Sequence, residues 1–438
     1  MSKKKEIGLG LSGGGQRAGA FHLGVLTKLN EMGVLDKINF ISSISGGSII
    51  GAYYSINKSD FEEFRDNFIE ILKLNIERKV FLGFATLVKI FSLICLWFFF
   101  FYLTNSIGFT IAFALLSIII FFIFLFKIFD LSGSLNKVYD KYLYKGKSLP
   151  ELSKFPKLII NAANLQTGNL ITFTENDIND SAYFFDYGKK VKFNVEEFPI
   201  SLAVTASSCY PPFFNPVKMN KENILISELK PYVSPLMVDG GSYDNQGIYE
   251  ITQVGKDFDC NIIICSDASA PYSTAKQSDM NPYRLLRWVI DILYKRVRTL
   301  QIRKDVYDID PGIDEIAYIS LDWKYEKCIE GFADAFLSNK LVGSIVRHHS
   351  IPQYLSLYKD PIQKEQNRKE IIKIVKESIG YTNIIENCLS DEEIDELSKI
   401  GTRLCGLSAK QISDLGFHGA ILAEIQIKLY CPSLVNSI

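Results

Sequence analysis

Near its start, this chain of 438 residues repeats one pattern twice: a short apolar run, a turn of small residues and a stretch of helical character. Residues 6–12 predict a buried strand, residues 13–15 a turn and Ala18–Met32 a helix. Phe40–Ile44 predicts a second strand and Gly46–Ser55 a second helix. Strands that alternate with helices are typical of a parallel sheet covered by helices. The pattern therefore predicts an α/β fold with a mostly parallel central sheet.

The same pattern returns after residue 130. Further strands are predicted at Lys157–Ala163, Asn169–Thr174, Leu236–Asp239 and Asn261–Ser266, and a helix is predicted at Ile200–Cys209. The last third of the chain is predicted to be mostly helical, with capping boxes that begin at Ser390 and Ser408.

Residues 80–126 differ from the rest of the chain because Lys89 is their only charged residue. Phe84–Leu103 and Ile107–Phe126 are each 20 residues long, and about 20 apolar residues cross a hydrocarbon core as a helix. We therefore expect residues 80–130 to form an inserted transmembrane helical hairpin. A buried helical hairpin in the protein core is the alternative.

Charge and cysteine content exclude some classes of protein. The formal net charge is −1 and the isoelectric point about 6.5, so no nucleic-acid partner is expected. The eight cysteines are scattered without a C-x-x-C pair, which favours reduced, structural thiols. The N-terminal lysines are followed only by the short apolar run Ile7–Leu11, so we expect no export signal.

The turn after the second predicted strand reads Ser43-Ile44-Ser45-Gly46-Gly47. A nucleophile elbow has this context: a serine on a sharp strand-to-helix turn, with small residues two positions before and after it. Gly47 meets that requirement, whereas Ser43 stands where the usual pattern G-x-S-x-G has glycine. Alone, the string has a second interpretation, a serine-rich turn that precedes a helix.

The turn after the first predicted strand is the segment Gly13–Gly19, which reads GGGQRAG. Consecutive glycines let backbone N–H groups point at one place, and a helix start adds the positive end of its dipole. Such a turn can stabilise the oxyanion of acyl transfer. The spacing of Gly8, Gly10 and Gly13 also matches a dinucleotide fingerprint. That interpretation is disfavoured because Gly8 and Gly10 lie inside the strand and no acidic residue ends the second strand.

A third motif follows the predicted strand that ends at Asp239. There the aspartate enters the glycine-rich segment Gly240–Gly247. Alone, this segment has the composition of an ordinary turn.

Together, the three motifs make the sequence similar to the patatin-like phospholipase family. That family combines a G-G-G-x-R-G loop, a G-x-S-x-G elbow and a D-G-[GA] turn in this order. The matching segments here are Gly13–Gly19, with Ala18 as an extra residue, Ser43–Gly47 and Asp239–Gly241. Ala203–Phe213 and Tyr243–Gly247 resemble two further family segments. The resemblance covers about residues 6–56 and 155–270, with a looser match near residues 402–420.

The resemblance implies a patatin-like three-layer sandwich and a serine–aspartate dyad. By the same resemblance, Ser45 is the nucleophile, Asp239 is its base, and the loop Gly13, Gly14 and Gly15 forms the oxyanion hole. Arg17 orients that loop or meets a phosphate, and a solvated arginine is its alternative interpretation. The remaining supporting positions are Gly47, Gly240 and Gly241. No metal and no cofactor are expected, and histidines 22, 348, 349 and 418 are expected to be structural.

These observations predict a membrane-anchored serine lipid acyl hydrolase that cleaves carboxylic esters of glycerophospholipids or lysophospholipids. Its expected partners are a membrane lipid substrate and the lipid bilayer. Two alternatives stay open: a catalytically inactive patatin-like scaffold that binds lipid, supported by Ser43 at the elbow, and a small membrane transporter or channel component.

The predicted domain organisation has four parts. Residues 1–79 and 131–275 form the catalytic domain, residues 80–130 the hairpin, and residues 276–438 a mostly helical part packed on the catalytic domain. Because Arg78 and Lys79 precede the apolar segment and Lys127 follows it, we expect an integral membrane protein with two spans, its catalytic domain and both termini cytoplasmic. Four basic residues (284, 287, 295 and 298) mark a basic amphipathic helix that meets either a membrane surface or solvent.

Overall fold

The computed structural model describes residues 6–104, 106–188, 190–211, 213–253, 255–269, 281–302 and 313–435. Within these residues one sheet contains the strands β1 Ile7–Leu11, β2 Phe40–Ile44, β3 Lys157–Asn164, β4 Asn169–Phe173, β5 Ile178–Asn179, β6 Val217–Lys218, β7 Leu236–Asp239, β8 Ile262–Asp267 and β9 Glu315–Ser320.

The helices of the described residues are α1 Gly15–Glu31, α2 Gly46–Asn57, α3 Phe61–Leu72, α4 Ile76–Phe81, α5 Phe84–Thr104, α6 Ile107–Ile128, α7 Leu131–Tyr139, α8 Ala182–Tyr187, α9 Ile200–Ser208, α10 Pro282–Gln301, α11 Tyr325–Leu337, α12 Gly343–His348, α13 Pro361–Ile379, α14 Tyr381–Ile384, α15 Asp391–Ser398, α16 Ala409–Tyr430 and α17 Pro432–Val435.

Five strands in the order β3-β2-β1-β8-β9 form the parallel centre of the sheet. The remaining strands are antiparallel: β4 pairs with β3, β5 with β4, and β7 with both β3 and β6. The predicted α/β fold with a mostly parallel central sheet is therefore confirmed. The last third of the chain also contributes the edge strand β9, which the sequence analysis did not predict.

Both faces of the sheet are covered. Along β8, Ile262 and Ile264 join the large hydrophobic core under the helices, whereas Ile263 and Cys265 join a second cluster with Ile248 and other residues. Neighbouring side chains of a strand point to opposite faces, so this alternation assigns one cluster to each face. A strand buried on both sides is the reason that residues 261–265 read as a continuous apolar run.

Helix α16 belongs to the same core as α1, although the two helices come from opposite ends of the chain. They cross so closely that a Cβ on Gly24 would overlap the backbone of Gly416, and one on Gly419 would overlap the carbonyl of Phe21. The capping box that begins α16 is formed as predicted: Ser408 Oγ accepts from Gln411 N, and the Gln411 side chain accepts from Ser408 N. The C-terminal part is thus packed directly on the helix that follows the glycine turn.

Strand β3 changes its neighbour halfway along its length, and this change positions the candidate site. Asn161 pairs with Ile44, the last residue of β2. The next residue, Ala162, pairs with Asp239, the last residue of β7. Because β7 is antiparallel to β3 and β2 is parallel to it, the ends of β2 and β7 approach each other head-on. Ser45 and Asp239 therefore meet at one point of the sheet.

The prediction for residues 80–130 requires a correction. Helices α5 and α6 pack side by side, with the rings of Phe100 and Phe113 stacked at a centroid distance of 4.0 Å. Among the residues that the structure describes, however, no helix has the length and apolar character needed to cross a membrane. The predicted transmembrane hairpin, and with it the two-span integral membrane protein with cytoplasmic domain and termini, is wrong.

Candidate active site

Ser45 alone connects β2 to α2, and its backbone is held in an unusual conformation. Its φ is 50° and its ψ −115°, a region that residues other than glycine rarely occupy. Its N–H donates to Ser207 Oγ at 3.0 Å. The residue is half-buried and lies at the end of the sheet, directly after β2. This is the geometry of a nucleophile elbow.

The small residues around Ser45 are required by close backbone approaches. A Cβ on Gly47 would lie 2.6 Å from the carbonyl carbon of Leu11, so α2 can begin here only with glycine. Ser43 is fully buried, its Oγ donates to Ile159 O at 3.2 Å, and it accepts from Ser48 Oγ at 3.1 Å. The hydroxyl that replaces the usual glycine therefore has room and hydrogen-bond partners.

Asp239 lies beside Ser45 and is almost completely buried. Burial raises the pKa of its carboxyl group to about 6, although hydrogen bonds from the Ser45 side chain and the Gly241 backbone oppose the shift. Gly241 N donates to Asp239 Oδ1 at 2.7 Å. The carboxylate is thus ionised near neutral pH and more basic than an exposed aspartate.

Two glycines let the chain turn sharply after Asp239. A Cβ on Gly240 would lie 2.5 Å from the carbonyl oxygen of Asn161, in the neighbouring strand. A Cβ on Gly241 would lie 2.6 Å from Asn245 Oδ1 and 2.8 Å from Asp239 Oδ1. A side chain on Gly240 would clash with the backbone of β3, and one on Gly241 would clash with the Asp239 carboxylate, which explains why both positions are glycine.

The three glycines of the first turn have different surroundings. Gly13 N donates to Asn245 O at 2.9 Å, so this group is already occupied. Gly14 and Gly15 have φ values of 144° and 62°, which favour glycine strongly. Within the described part of the chain, neither the Gly14 nor the Gly15 N–H donates a hydrogen bond to the protein. Both groups lie where α1 begins, so the helix dipole adds to their positive character.

The glycine turn lies directly against the serine turn. A Cβ on Gly13 would lie 3.3 Å from Ser45 Cβ, and one on Gly46 would lie 2.8 Å from the nitrogen of Gly15. Gly47 N also donates to Ser12 O at 3.0 Å. Among the described residues, the structure thus brings together Ser45, Asp239 and two unpaired backbone donors.

Arg17, in the first turn of α1, is buried next to the glycine turn. It is 1% exposed, with Nη1 donating to Ile400 O at 2.7 Å and Nη2 to Ala268 O at 2.6 Å. Burial lowers its pKa to about 10 despite the nearby charge of Asp267. Its guanidinium group is therefore bound to backbone carbonyls, and this geometry supports an orienting role rather than contact with a phosphate or with solvent.

Several polar residues of the site had no predicted role. Asn245 accepts from Gly13 through its carbonyl, and its Nδ2 donates to Ser269 Oγ at 2.7 Å. Asn161 Nδ2 donates to Ser42 Oγ at 3.0 Å and to Ser43 O at 3.1 Å. Asn161 could have been identified from the sequence, because it is a polar residue within the otherwise apolar part of β3. Asn245 and Ser207 lie in the segments that resemble the family.

Three histidines are buried and have both ring nitrogens in contact with the protein. His22 contacts Ser266 Oγ and Ser12 O, His349 contacts Ser378 and Leu429, and His418 contacts Tyr325 and Leu321. Burial lowers the pKa of His22 and of His418 to about 4, so both are neutral. Among the described residues, no group of three or more His, Cys, Asp or Glu side chains could hold a metal ion.

Comparison with known proteins gives one family match. A family model described as patatin-like phospholipase matches residues 9–250, more than half of the chain. No curated protein sequence matches. Similar solved structures include human GIVD cytosolic phospholipase A2, with a TM-score of 0.43, 12% identity, and coverage of 97% of this chain but 63% of that one. VipD from Legionella pneumophila has a TM-score of 0.29, 12% identity, and coverage of 97% of this chain and 92% of that one.

Proposed function

Because this chain belongs to the patatin-like phospholipase family, we propose that it is a serine lipid acyl hydrolase that uses a Ser45–Asp239 dyad. Its substrates are carboxylic esters of glycerophospholipids or lysophospholipids. The observation that supports the dyad best is the register along β3, which brings Ser45, on its strained turn, to the end of β7 beside the buried carboxylate of Asp239.

The first half of the reaction forms an acyl-enzyme. Asp239 accepts the hydroxyl proton while Ser45 Oγ attacks the ester carbonyl carbon. The carbonyl oxygen becomes an oxyanion and accepts hydrogen bonds from the N–H groups of Gly14 and Gly15. The tetrahedral intermediate then breaks its bond to the alcohol, which leaves with the proton held by Asp239.

The second half releases the fatty acid. A water molecule gives a proton to Asp239 and attacks the acyl carbonyl carbon, and the same two N–H groups bind the second oxyanion. Collapse of this intermediate breaks the bond to Ser45 Oγ, which regains the proton from Asp239. A carboxylate whose pKa is about 6 can accept and return the proton near neutral pH, so no histidine is needed.

The proposal extends to the organisation of the chain. Residues 1–79 and 131–275 supply β1, β2, β3 and β8 of the sheet centre and both members of the dyad. Residues 276–438 supply β9 and pack on the catalytic part through α16. Residues 80–130 lie between the two catalytic parts. Helix α4, before this segment, packs on α7, after it, and Lys79 Nζ donates to Tyr142 Oη at 3.2 Å.

An inactive lipid-binding scaffold is the second candidate, and its only support was Ser43 in place of glycine. The hydrogen bonds of Ser43 to Ile159 and Ser48 accommodate that hydroxyl without moving Ser45. No observation in the described residues therefore favours the scaffold over the enzyme.

Mass spectrometry of lipid products tests the proposal. Purified protein should release fatty acid from glycerophospholipid or lysophospholipid, and Ser45→Ala should release none, because the attacking oxygen is absent. Ser43→Gly is the matched control and should retain activity. If Ser43→Gly is inactive while Ser45→Ala still releases fatty acid, the assignment of the nucleophile is wrong. Absence of any product from the unchanged protein, together with no labelling by a fluorophosphonate, would favour the scaffold.

A further inference from the structure

Helix α10 lies at the edge of the candidate active site and contacts it with one face. Tyr294 Oη is 2.9 Å from Ser242 Oγ, next to the turn that follows Asp239. A Cβ on Gly241 would lie 3.3 Å from the Tyr294 ring, and the ring centroids of Tyr210 and Tyr294 are 5.9 Å apart. A substrate that reaches Ser45 from this side must therefore pass α10.

The same face of α10 is fixed to the protein by a buried ion pair. Arg298 Nε lies 2.7 Å from Oδ2 of Asp267, which has no exposed surface. Burial opposes ionisation of Asp267, but Arg298 and several hydrogen bonds more than offset it and hold the pKa below its usual value. Ala268, the next residue, accepts from Arg17. Helix α10 and the glycine turn are thus anchored to one loop.

The opposite face of α10 is apolar and exposed. Six large side chains on this face are each 47–57% exposed: Leu285, Leu286, Val289, Ile292, Leu293 and Leu300. Their spacing of three, four and seven residues places them on one side of the helix, away from Tyr294 and Arg298. Exposed apolar side chains that cluster in this way mark a surface that binds a partner.

The charge of α10 indicates what that partner is. Apart from Arg298, which is paired with Asp267, the helix sequence contains four basic residues (Arg284, Arg287, Lys295 and Arg296) and one acidic residue, Asp291, whereas the whole chain has a formal net charge of −1. Lys295 and Arg296 are exposed, and Arg296 lies within the apolar face because it is three residues after Leu293 and four before Leu300. An apolar face that carries exposed basic side chains is complementary to the anionic headgroups and acyl chains of a lipid surface.

Another exposed apolar side chain lies near the site, close to α10. Phe213 is 44% exposed, and its ring lies 6.3 Å from that of Tyr210, which contacts Tyr294. An aromatic side chain at the boundary between apolar and polar surroundings suits a lipid interface. An exposed aromatic side chain therefore lies next to the Tyr210–Tyr294 contact, on the side of the site where α10 lies.

We propose that α10 is an interfacial docking helix: its outer face binds the surface of an anionic lipid aggregate and holds the site entrance beside Tyr294 and Phe213 against the ester substrate. The proposal rests on the proposed lipid acyl hydrolase function, because that function gives the protein a reason to contact aggregated lipid. It assigns the substrate a physical state, an ester within a lipid surface rather than a dissolved one.

Vesicle co-sedimentation tests this assignment. The experiment uses full-length protein with Ser45→Ala, so that hydrolysis cannot alter the lipid, and vesicles of phosphatidylcholine with phosphatidylglycerol or of phosphatidylcholine alone. Leu286→Ser with Leu293→Ser should weaken binding to the anionic vesicles on the order of tenfold or more, because two apolar contacts are lost. The matched control is Leu357→Ser with Ile362→Ser, which changes side chains that are 71% and 73% exposed on another part of the chain.

The possible outcomes are distinct. Weaker binding of the α10 variant alone, with an unchanged melting temperature, supports the proposal, as does weaker binding of the protein to vesicles without phosphatidylglycerol. Equal binding by both variants, or no binding by the parent protein, overturns it. A parent protein that sediments as a dimer, with a monomeric α10 variant, would show that a second copy covers this face instead. Vesicle binding without lipid hydrolysis by the protein with Ser45 intact would overturn the proposed function but not the docking surface.

Discussion

The turns after β1 and β2 have the same topology but present different chemical groups. The turn after β1 uses three glycines before α1 and leaves two backbone N–H groups without protein partners among the described residues. The turn after β2 consists of one residue, Ser45, and presents a side chain. Because the two turns lie on neighbouring strands and contact each other through Gly13, Gly15 and Gly46, the two N–H groups and Ser45 lie together at one end of the sheet. The difference teaches that a parallel sheet can build both halves of the proposed site from one repeated unit.

The largest loss of activity should come from replacing Asp239, because only the serine turn needs a proton acceptor. Asp239→Asn removes the proton acceptor of Ser45 and should lower the rate of ester hydrolysis by about two to four orders of magnitude. Steady-state kinetics on a phospholipid substrate measures the loss. Replacement of each histidine in turn is the control, since none of the four is expected to act as a base. If a histidine variant is folded but as inactive as Asp239→Asn, the dyad model is wrong and a catalytic triad that includes this histidine is favoured.

The glycine turn should be nearly as sensitive, for a different reason. Gly14→Ala places a Cβ 2.9 Å from Ala268 O at a φ of 144°, so the turn must shift and its N–H groups with it. Loss of an oxyanion donor costs about 10²–10³ in rate. Gly33→Ala is the matched control, because Gly33 has a φ of 62° but nothing within 4 Å of an added Cβ. It should lower stability and leave the rate of folded protein unchanged. Equal rates for the two variants would contradict the role of Gly14.

The pH dependence of the rate distinguishes the contribution of the serine turn from that of the glycine turn, and it needs no mutation. Only the serine turn depends on a titrating group, and Asp239 must be deprotonated to act. Since its pKa is raised to about 6 by burial, kcat/KM should fall about tenfold per pH unit below pH 6 and level off above it. The measurement is a pH–rate profile of the unchanged protein between pH 4 and 8. A flat profile across this range would contradict Asp239 as the base.

The smallest effect concerns the strain at Ser45. Glycine adopts a φ of 50° and a ψ of −115° without steric cost, so Ser45→Gly should raise the free energy of unfolding by about 1 kcal/mol while abolishing activity. Chemical denaturation measures the gain, and Ser43→Gly, at a position without a positive φ, should show none. A Ser45→Gly protein that is less stable than the parent would show that the turn is not strained.

The alternation of strands and helices was visible in the sequence because each unit is local. β2 and β7 have the predicted boundaries, and β1, β3, β4 and β8 differ from the predictions by at most one residue at either end. β9 was missed because the run of helical segments around it hid the short stretch Glu315–Ser320. That strand pairs with β8, although α10 lies between the two strands in the sequence. A pairing between segments so far apart in the sequence leaves no local pattern from which it could be predicted.

The residues of the site were found from their motifs, but their contacts were not. The occupied N–H of Gly13 depends on Asn245, which belongs to a distant part of the sequence, after β7. Arg17 is buried because Ile400 and Ala268 close over it, again from distant segments. The spans predicted for residues 80–130 came from the length and apolar composition of two segments and from the basic residues that flank them. Among the described residues, no helix meets the requirements for a membrane span.

The change of neighbours along β3 has a consequence for the evolution of this chain. Ser45 and Asp239 are held in register by the backbone hydrogen bonds of β3, so their separation in space does not depend on the number of residues between them in the sequence. Because α4 packs on α7, the chain leaves the core before α5 and returns to it after α6 at neighbouring points. Insertions and deletions between those points can accumulate without moving the dyad. The segment between α4 and α7 can therefore change in length and sequence while the sheet keeps Ser45 and Asp239 in place.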